Sequence, residues 1–141
     1  MAETETVLSE RRVEREAEDA LSMAFAAQYR ASLMGFDWPD TTGALHKVRE
    51  ETREVDAVIG AGAGGRRLEE ELGDLLFAVV NVARLAGVDP VGALASATAK
   101  FEGRFQEVER LARQRGLAMP GTDLERLDRL WDAVKDRERA G

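Results

Sequence analysis

The sequence predicts an all-α protein: a bundle of four main helices with a shorter helix at the C-terminus. Three observations point there. The chain is rich in Ala, Leu, Glu and Arg, with 6% aromatics and 3 prolines, a mix that favours helices. Apolar residues recur in steps of three and four along most of its length. Neither a period-two strand pattern nor an internal repeat competes with that spacing.

The elements follow in order. Residues 1–8 carry no firm pattern and are expected to be loose, with a single domain over 9–141. The first helix is predicted from Ser9 to Met34, with Val13, Ala17, Ala20, Leu21, Ala24, Phe25 and Leu33 as apolar positions. Gly35 ends it, and Pro39 blocks continuation. Thr41 or Thr42 is the expected cap of a second helix reaching Ile59, with Leu45, Val48, Thr52, Val55 and Ile59 as its stripe. The run Gly60-Ala61-Gly62-Ala63-Gly64-Gly65 breaks the pattern. No strand precedes it and no Gly-Lys-Ser/Thr follows, so it reads as a helix connection and not a phosphate loop. A third helix spans Arg66 to Ala86. Its run from Leu75 to Ala83 is apolar nearly all round, which predicts a central, buried helix. Asp89-Pro90 then starts a fourth helix, continuing to Arg115. Its seam of Val91, Leu94, Thr98, Phe101, Phe105, Val108 and Ala112 suits packing inside a bundle or between subunits. Thr122-Asp123-Leu124-Glu125 reads as a capping box opening the last helix.

Charge and composition narrow the function. The net charge is −7, which disfavours non-specific nucleic-acid binding. With no cysteine, disulfides, thiol catalysis and Cys-ligated metals are excluded. No signal peptide and no apolar run near membrane-span length is evident, so a cytoplasmic protein without a membrane partner is expected.

Two acidic words carry the chemistry: Glu50-Glu51-Thr52-Arg53-Glu54 and Glu71-Leu72-Gly73-Asp74. Each places two carboxylates three residues apart, roughly 60° around a helix and on one face. Two such helices packed together aim Glu51, Glu54, Glu71 and Asp74 at one volume. Four carboxylates do not all stay ionised in a partly buried space unless cations sit among them. Oxygen-only ligands select Mg²⁺, with Mn²⁺ as a substitute, over Zn²⁺. Asn81 falls on the same stripe of the third helix and is a substrate-binding candidate. Lys47 lies four before Glu51, and Lys100 and Arg104 lie one turn apart, facing one ligand. On the residues alone, each of these cations reads more readily as a solvated or ion-paired side chain. Trp38 and Trp131 are candidates for stacking on a flat ligand, although helical spacing suits a core role for Trp131. His46, the one histidine, has no zinc-site companions.

The stretch Lys47 to Val55, then Leu68-Glu69-Glu70-Glu71-Leu72-Gly73-Asp74-Leu75-Leu76-Phe77 and on to Arg84, closely resembles the MazG family of all-α nucleoside triphosphate pyrophosphohydrolases. Gly35-Phe36-Asp37-Trp38-Pro39, Lys100-Phe101-Glu102-Gly103-Arg104-Phe105 and Trp131-Asp132-Ala133-Val134-Lys135 extend the likeness over most of the chain. It is closest to the second of the two domains found in long members.

The resemblance implies a Mg²⁺-dependent enzyme in which water attacks the α-phosphorus of a (d)NTP, giving (d)NMP and pyrophosphate, in a housecleaning role. It makes Lys47, Lys100 and Arg104 phosphate contacts, and adds Trp131 and Lys135 as weaker substrate contacts. Glu50 and Glu70 stand beside the metal ligands, and either can orient or deprotonate the water. A homodimer or higher oligomer is expected from the likeness and from the apolar third and fourth helices. The alternatives are a narrower hydrolase for dUTP, dCTP or phosphoribosyl-ATP, and a non-catalytic helical interaction module.

Overall fold

A computed structural model describes residues 2–141, and five α-helices are present among them: α1 (Ala2–Leu33), α2 (Thr41–Gly60), α3 (Gly65–Leu85), α4 (Pro90–Gln114) and α5 (Leu124–Ala140). The described residues contain no strand, as the spacing predicts. They gather into two compact units, one up to Ala93 and one over Leu94–Gly141.

In the first unit, α3 packs along α2 and touches α1. The first helix begins at Ala2, so residues 2–8 continue it instead of lying loose. That segment holds no Gly or Pro to stop the helix, and this outweighs its weak apolar pattern. Among the apolar positions predicted for α1, Leu21, Ala24 and Phe25 are half-buried, Val13 and Leu33 are exposed, and Ala17 lies outside the residues whose side chains are described. Gly35 closes α1 with φ +84°: its N–H bonds to Ser32 O, and the Phe36 N–H reaches back to Ala31 O at 3.1 Å. Both bonds satisfy carbonyls at the helix end, and the left-handed backbone they need suits glycine.

The cap of α2 differs from expectation. Asp40 caps it, with Oδ1 accepting from Thr42 N at 2.8 Å, so Thr41 and Thr42 are already helical. A carboxylate is the better partner for the positive end of the helix. The same one-residue choice occurs at α5: Asp123 is the cap, accepting from Arg126 N, while Thr122 N bonds back to Ala118 O. Asp89 caps α4 as predicted, accepting from Val91 N at 3.1 Å.

The third helix is less buried than its composition predicts. Ala78 and Val80 are buried, but Leu72, Leu76, Phe77 and Val79 remain exposed, because α2 and α1 cover only part of a helix that is apolar nearly all round. In the second unit, Val108, Leu111 and Ala112 of α4 pack with Leu130 and Val134 of α5, flanked by Leu117, Met119, Leu127 and Trp131. No single helix among the described residues is long and apolar enough to cross a membrane.

Candidate metal centre and its surroundings

The acidic words lie on α2 and α3, the two helices of the first unit that pack most extensively. Their pairing brings one oxygen each of Glu51, Glu71 and Asp74 within 4.8 Å of one another. Glu51 is buried, Glu71 half-buried and Asp74 exposed, so the group opens from the helix interface towards solvent. Glu54 is exposed and stands outside this three-way convergence. Its charge is nevertheless felt at Glu71. Burial pushes the Glu71 carboxyl above its ordinary range, and the charges of Glu54, Glu51 and Asp74 push it further, while Arg67 opposes them. Crowded like charges around a partly desolvated carboxylate make a surplus of hard oxygen donors, and a divalent cation relieves it. The donor set therefore fits Mg²⁺ or Mn²⁺.

Lys47 supplies the nearest compensation. Its Nζ lies 2.8 Å from Glu51 Oε1 and 3.4 Å from Glu50 Oε1. The bond to Glu51 is the main reason its ammonium is held above the ordinary lysine value. Glu50 is thereby joined to the cluster through a shared lysine. Glu70 faces elsewhere, 3.4 Å from Arg66 in an exposed i, i+4 pair.

The cations predicted on α4 are found in the second unit, where Arg104 has a partner of its own. Arg104 donates to Glu138 through Nε (3.0 Å) and Nη2 (2.8 Å), and its guanidinium stands 5.7 Å from the Trp131 ring. That hydrogen-bonded pairing pulls the Glu138 carboxyl below its ordinary value, aided by the charge of Lys100. Phe101 stacks on Phe105 with centroids 6.0 Å apart and tilts against Trp131 at 5.5 Å. Lys135 is 3.9 Å from Asp132. Trp131 is half-buried beside the α4–α5 core, as its helical spacing predicts.

A second group in the first unit joins Asn81, a candidate from the sequence, to residues that were assigned no role there. Arg84 of α3 grips Asp37 with both Nη atoms, Nη1 at 3.0 Å from Oδ2, and its Nε and Nη2 reach Asn81 Oδ1 at 3.1 and 2.8 Å. The hydrogen bond from Arg84 is the main cause that lowers the Asp37 carboxyl below its usual range. Beside them Gln28, on α1, is buried. Its trace in the sequence is a lone amide among Ala24, Phe25, Ala27 and Ala31, too weak a pattern to assign a role.

Two packed helices that converge three carboxylates able to hold a metal ion, in a chain without strands among its described residues, define an all-α protein with a candidate metal centre. Residues 39–109 match the family model described as the MazG nucleotide pyrophosphohydrolase domain, and the chain belongs to the MazG family. It is 44% identical over 116 residues to the nucleoside triphosphate pyrophosphohydrolase/pyrophosphatase MazG of Thermotoga maritima, covering 82% of this chain and 44% of that protein. It is 45% identical over 124 residues to the nucleoside triphosphate pyrophosphohydrolase of Escherichia coli, covering 84% of this chain and 46% of the relative. A 72-residue stretch is 42% identical to the uncharacterized protein YabN of Bacillus subtilis, covering 51% of this chain and 15% of that one. The chain thus spans less than half the length of the two pyrophosphohydrolases it matches.

Proposed function

We propose that this chain hydrolyses nucleoside triphosphates to monophosphate and pyrophosphate with a divalent cation, in a cytoplasmic, housecleaning role. The observation that carries the reading is the convergence of Glu51, Glu71 and Asp74 within 4.8 Å. Glu54, whose charge is felt at Glu71, is the fourth donor of this reading. Mg²⁺ bound there, or Mn²⁺ in its place, neutralises phosphate charge and makes water a better nucleophile.

The chain's own residues do the rest. Lys47, held 2.8 Å from Glu51 Oε1, would give up that bond if a cation neutralised the cluster, and its ammonium would then turn to a phosphate oxygen. Glu50, which shares Lys47 with Glu51, is freed by the same exchange to accept a proton from water attacking the α-phosphorus. Glu70 is the second choice for that role. By resemblance alone, Lys100 and Arg104 are assigned to the phosphates in this reading, with Trp131 and Lys135 as weaker contacts. Those cations neutralise charge that shifts as the phosphorus–oxygen bond breaks.

A homodimer or larger assembly completes the reading. It covers the exposed apolar residues of α3 and α4, among them Leu76 and Phe101 at 63% and 56% exposure. Pyrophosphate release from the common (d)NTPs, with Mg²⁺ and with EDTA, tests the proposal. A chain that binds partners but releases no pyrophosphate is the non-catalytic helical module instead.

A further inference from the structure

Glu138 lies in the last turn of α5, between Arg137 and Arg139. A carboxylate there opposes the negative end of the helix dipole, whereas its two basic neighbours suit the place. A side chain set against its local preference is held by a contact from elsewhere. That contact is Arg104 of α4. Its Nε lies 3.1 and 3.0 Å from the two Glu138 oxygens, and its Nη2 lies 2.8 Å from Oε2.

The pairing uses one edge of the guanidinium only. Nε and one hydrogen of Nη2 face Glu138, while the carbon of the group stands 5.7 Å from the Trp131 ring. Trp131 and Glu138 are seven residues apart, about two turns of α5 and on nearly one face, so a single helix supplies both supports. Arginine carries five N–H donors in a fixed plane. The opposite edge, Nη1 with the second hydrogen of Nη2, meets no acceptor among the described residues. Lys100, one turn before Arg104, has no hydrogen-bond or ion-pair partner among them either, although its charge reaches Glu138. The two cations thus keep donors to spare beside a carboxylate that holds one of them.

Glu138 acts on Arg104 in two ways of opposite sign. Its charge repels an anion that approaches the guanidinium. Its hydrogen bonds hold the group in one plane, so that less rotamer freedom is left to lose when a ligand binds. Geometry decides between them. Glu138 takes the Nε edge and leaves the Nη1–Nη2 edge, which can meet two oxygens of a phosphate through parallel N–H bonds. The Glu138 side chain is also 47% exposed against 21% for Arg104, so water screens its charge while the arginine stays in place.

We propose that Glu138 is a positioning residue, which holds Arg104 side-on so that its Nη1–Nη2 edge is presented to phosphate oxygens of the nucleotide. The inference rests on the pyrophosphohydrolase reading above, in which Arg104 serves the phosphates, and adds the residue that sets its orientation. Glu138 itself does not touch the substrate.

The test is a double-mutant cycle in pyrophosphate release from adenosine triphosphate, with Arg104→Ala, Glu138→Gln and the two combined. Gln keeps one acceptor for Arg104 but cannot grip both N–H groups. Glu138→Gln should raise KM about fivefold, and Glu138→Ala, which keeps no acceptor, about tenfold. Charge alone predicts the opposite sign, since removing a carboxylate favours an anion. On the Arg104→Ala background, Glu138→Gln should change KM by less than about twofold, because the residue it acts through is gone. Inorganic tripolyphosphate, which has no base, should inhibit Glu138→Gln more weakly by the same factor. Melting curves of Glu138→Gln and Glu138→Ala should stay close to the wild type, as exposed pairs contribute little. A lowered KM in Glu138→Gln overturns the proposal in favour of a carboxylate that phosphate must displace. A loss as large on the Arg104→Ala background as on the wild type overturns it in favour of a role in the fold. Arg104→Ala with wild-type kinetics overturns both the part given to Arg104 and its positioning, and leaves the enzyme reading intact. Failure of the wild type to release pyrophosphate from any nucleotide overturns the enzyme reading, and this inference with it.

Discussion

Lys47 Nζ lies 2.8 Å from Glu51 Oε1, so the cation nearest the acidic group is held by one of that group's own carboxylates. A lysine in this position would compete with a cation for Glu51.

Two opposite effects should therefore separate in Lys47→Ala. Mg²⁺ should bind the variant at least as tightly as the wild type, because a competing charge is gone. Turnover should fall by roughly one to two decades in kcat/KM, the scale of a lost charge-assisted contact of about 1.5–3 kcal/mol. Calorimetric Mg²⁺ titration and pyrophosphate release check the two halves. Weaker Mg²⁺ binding with unchanged turnover would make Lys47 a structural partner of Glu51 alone.

Asp37 and Arg84 tie the turn after α1 to α3, and the bond should show in the pH dependence of stability. The carboxyl is held below its unfolded value by Arg84. Its contribution is thus fully present above about pH 4, the unfolded range for Asp, and is lost as pH falls through the lower folded value. Asp37→Asn should melt below the wild type at neutral pH. The gap should close as the pH drops below 4. A gap that stays constant down to the acid transition would show that the ion pair contributes nothing through its charge.

How much of this was legible in sequence depends on what kind of interaction carries it. The helices and their glycine and proline stops were readable because period and turn chemistry are local. Caps were missed by one residue, since Asp40 and Asp123 compete with neighbouring threonines and only the three-dimensional turn decides. Glu51, Glu71 and Asp74 were readable because helix geometry fixes which acids share a face. Gln28, Asp37 and Arg84 were not, because their meaning comes from contacts across 47 and 49 positions. The burial of α3 was over-read: composition says that a helix must be covered, and not by what.

Arg104 and Glu138 offer a test of the second unit. Lys100→Ala should lower kcat/KM by roughly one to two decades with every nucleotide alike, since phosphates carry no base identity. Glu138→Gln takes from Arg104 a bidentate partner. If Arg104 serves the phosphates in the orientation that Glu138 gives it, that variant should raise KM while losing little stability, as exposed ion pairs contribute little. A lowered KM with normal melting would mean that Glu138 merely occupies Arg104 and does not position it.

The exposed apolar residues of α3 and α4 predict self-association. Light scattering at micromolar concentration should give at least twice the 15.5 kDa chain mass. Phe105→Asp, placing a charge in the α4 seam, should lower that mass. A wild-type monomer that still releases pyrophosphate would remove the oligomer and leave the enzyme.

The central claim is that the carboxylates of α2 and α3 hold the cation that hydrolysis needs. Its most direct measurement is pyrophosphate release by Asp74→Ala beside the wild type, both titrated with Mg²⁺ and matched by circular dichroism. The account predicts wild-type activity that rises with Mg²⁺ and vanishes in EDTA, and a folded variant at least a hundredfold slower at every Mg²⁺ concentration, on the scale of losing about 3 kcal/mol of transition-state stabilisation. Near-normal turnover by Asp74→Ala, or wild-type turnover that EDTA leaves untouched, would contradict it.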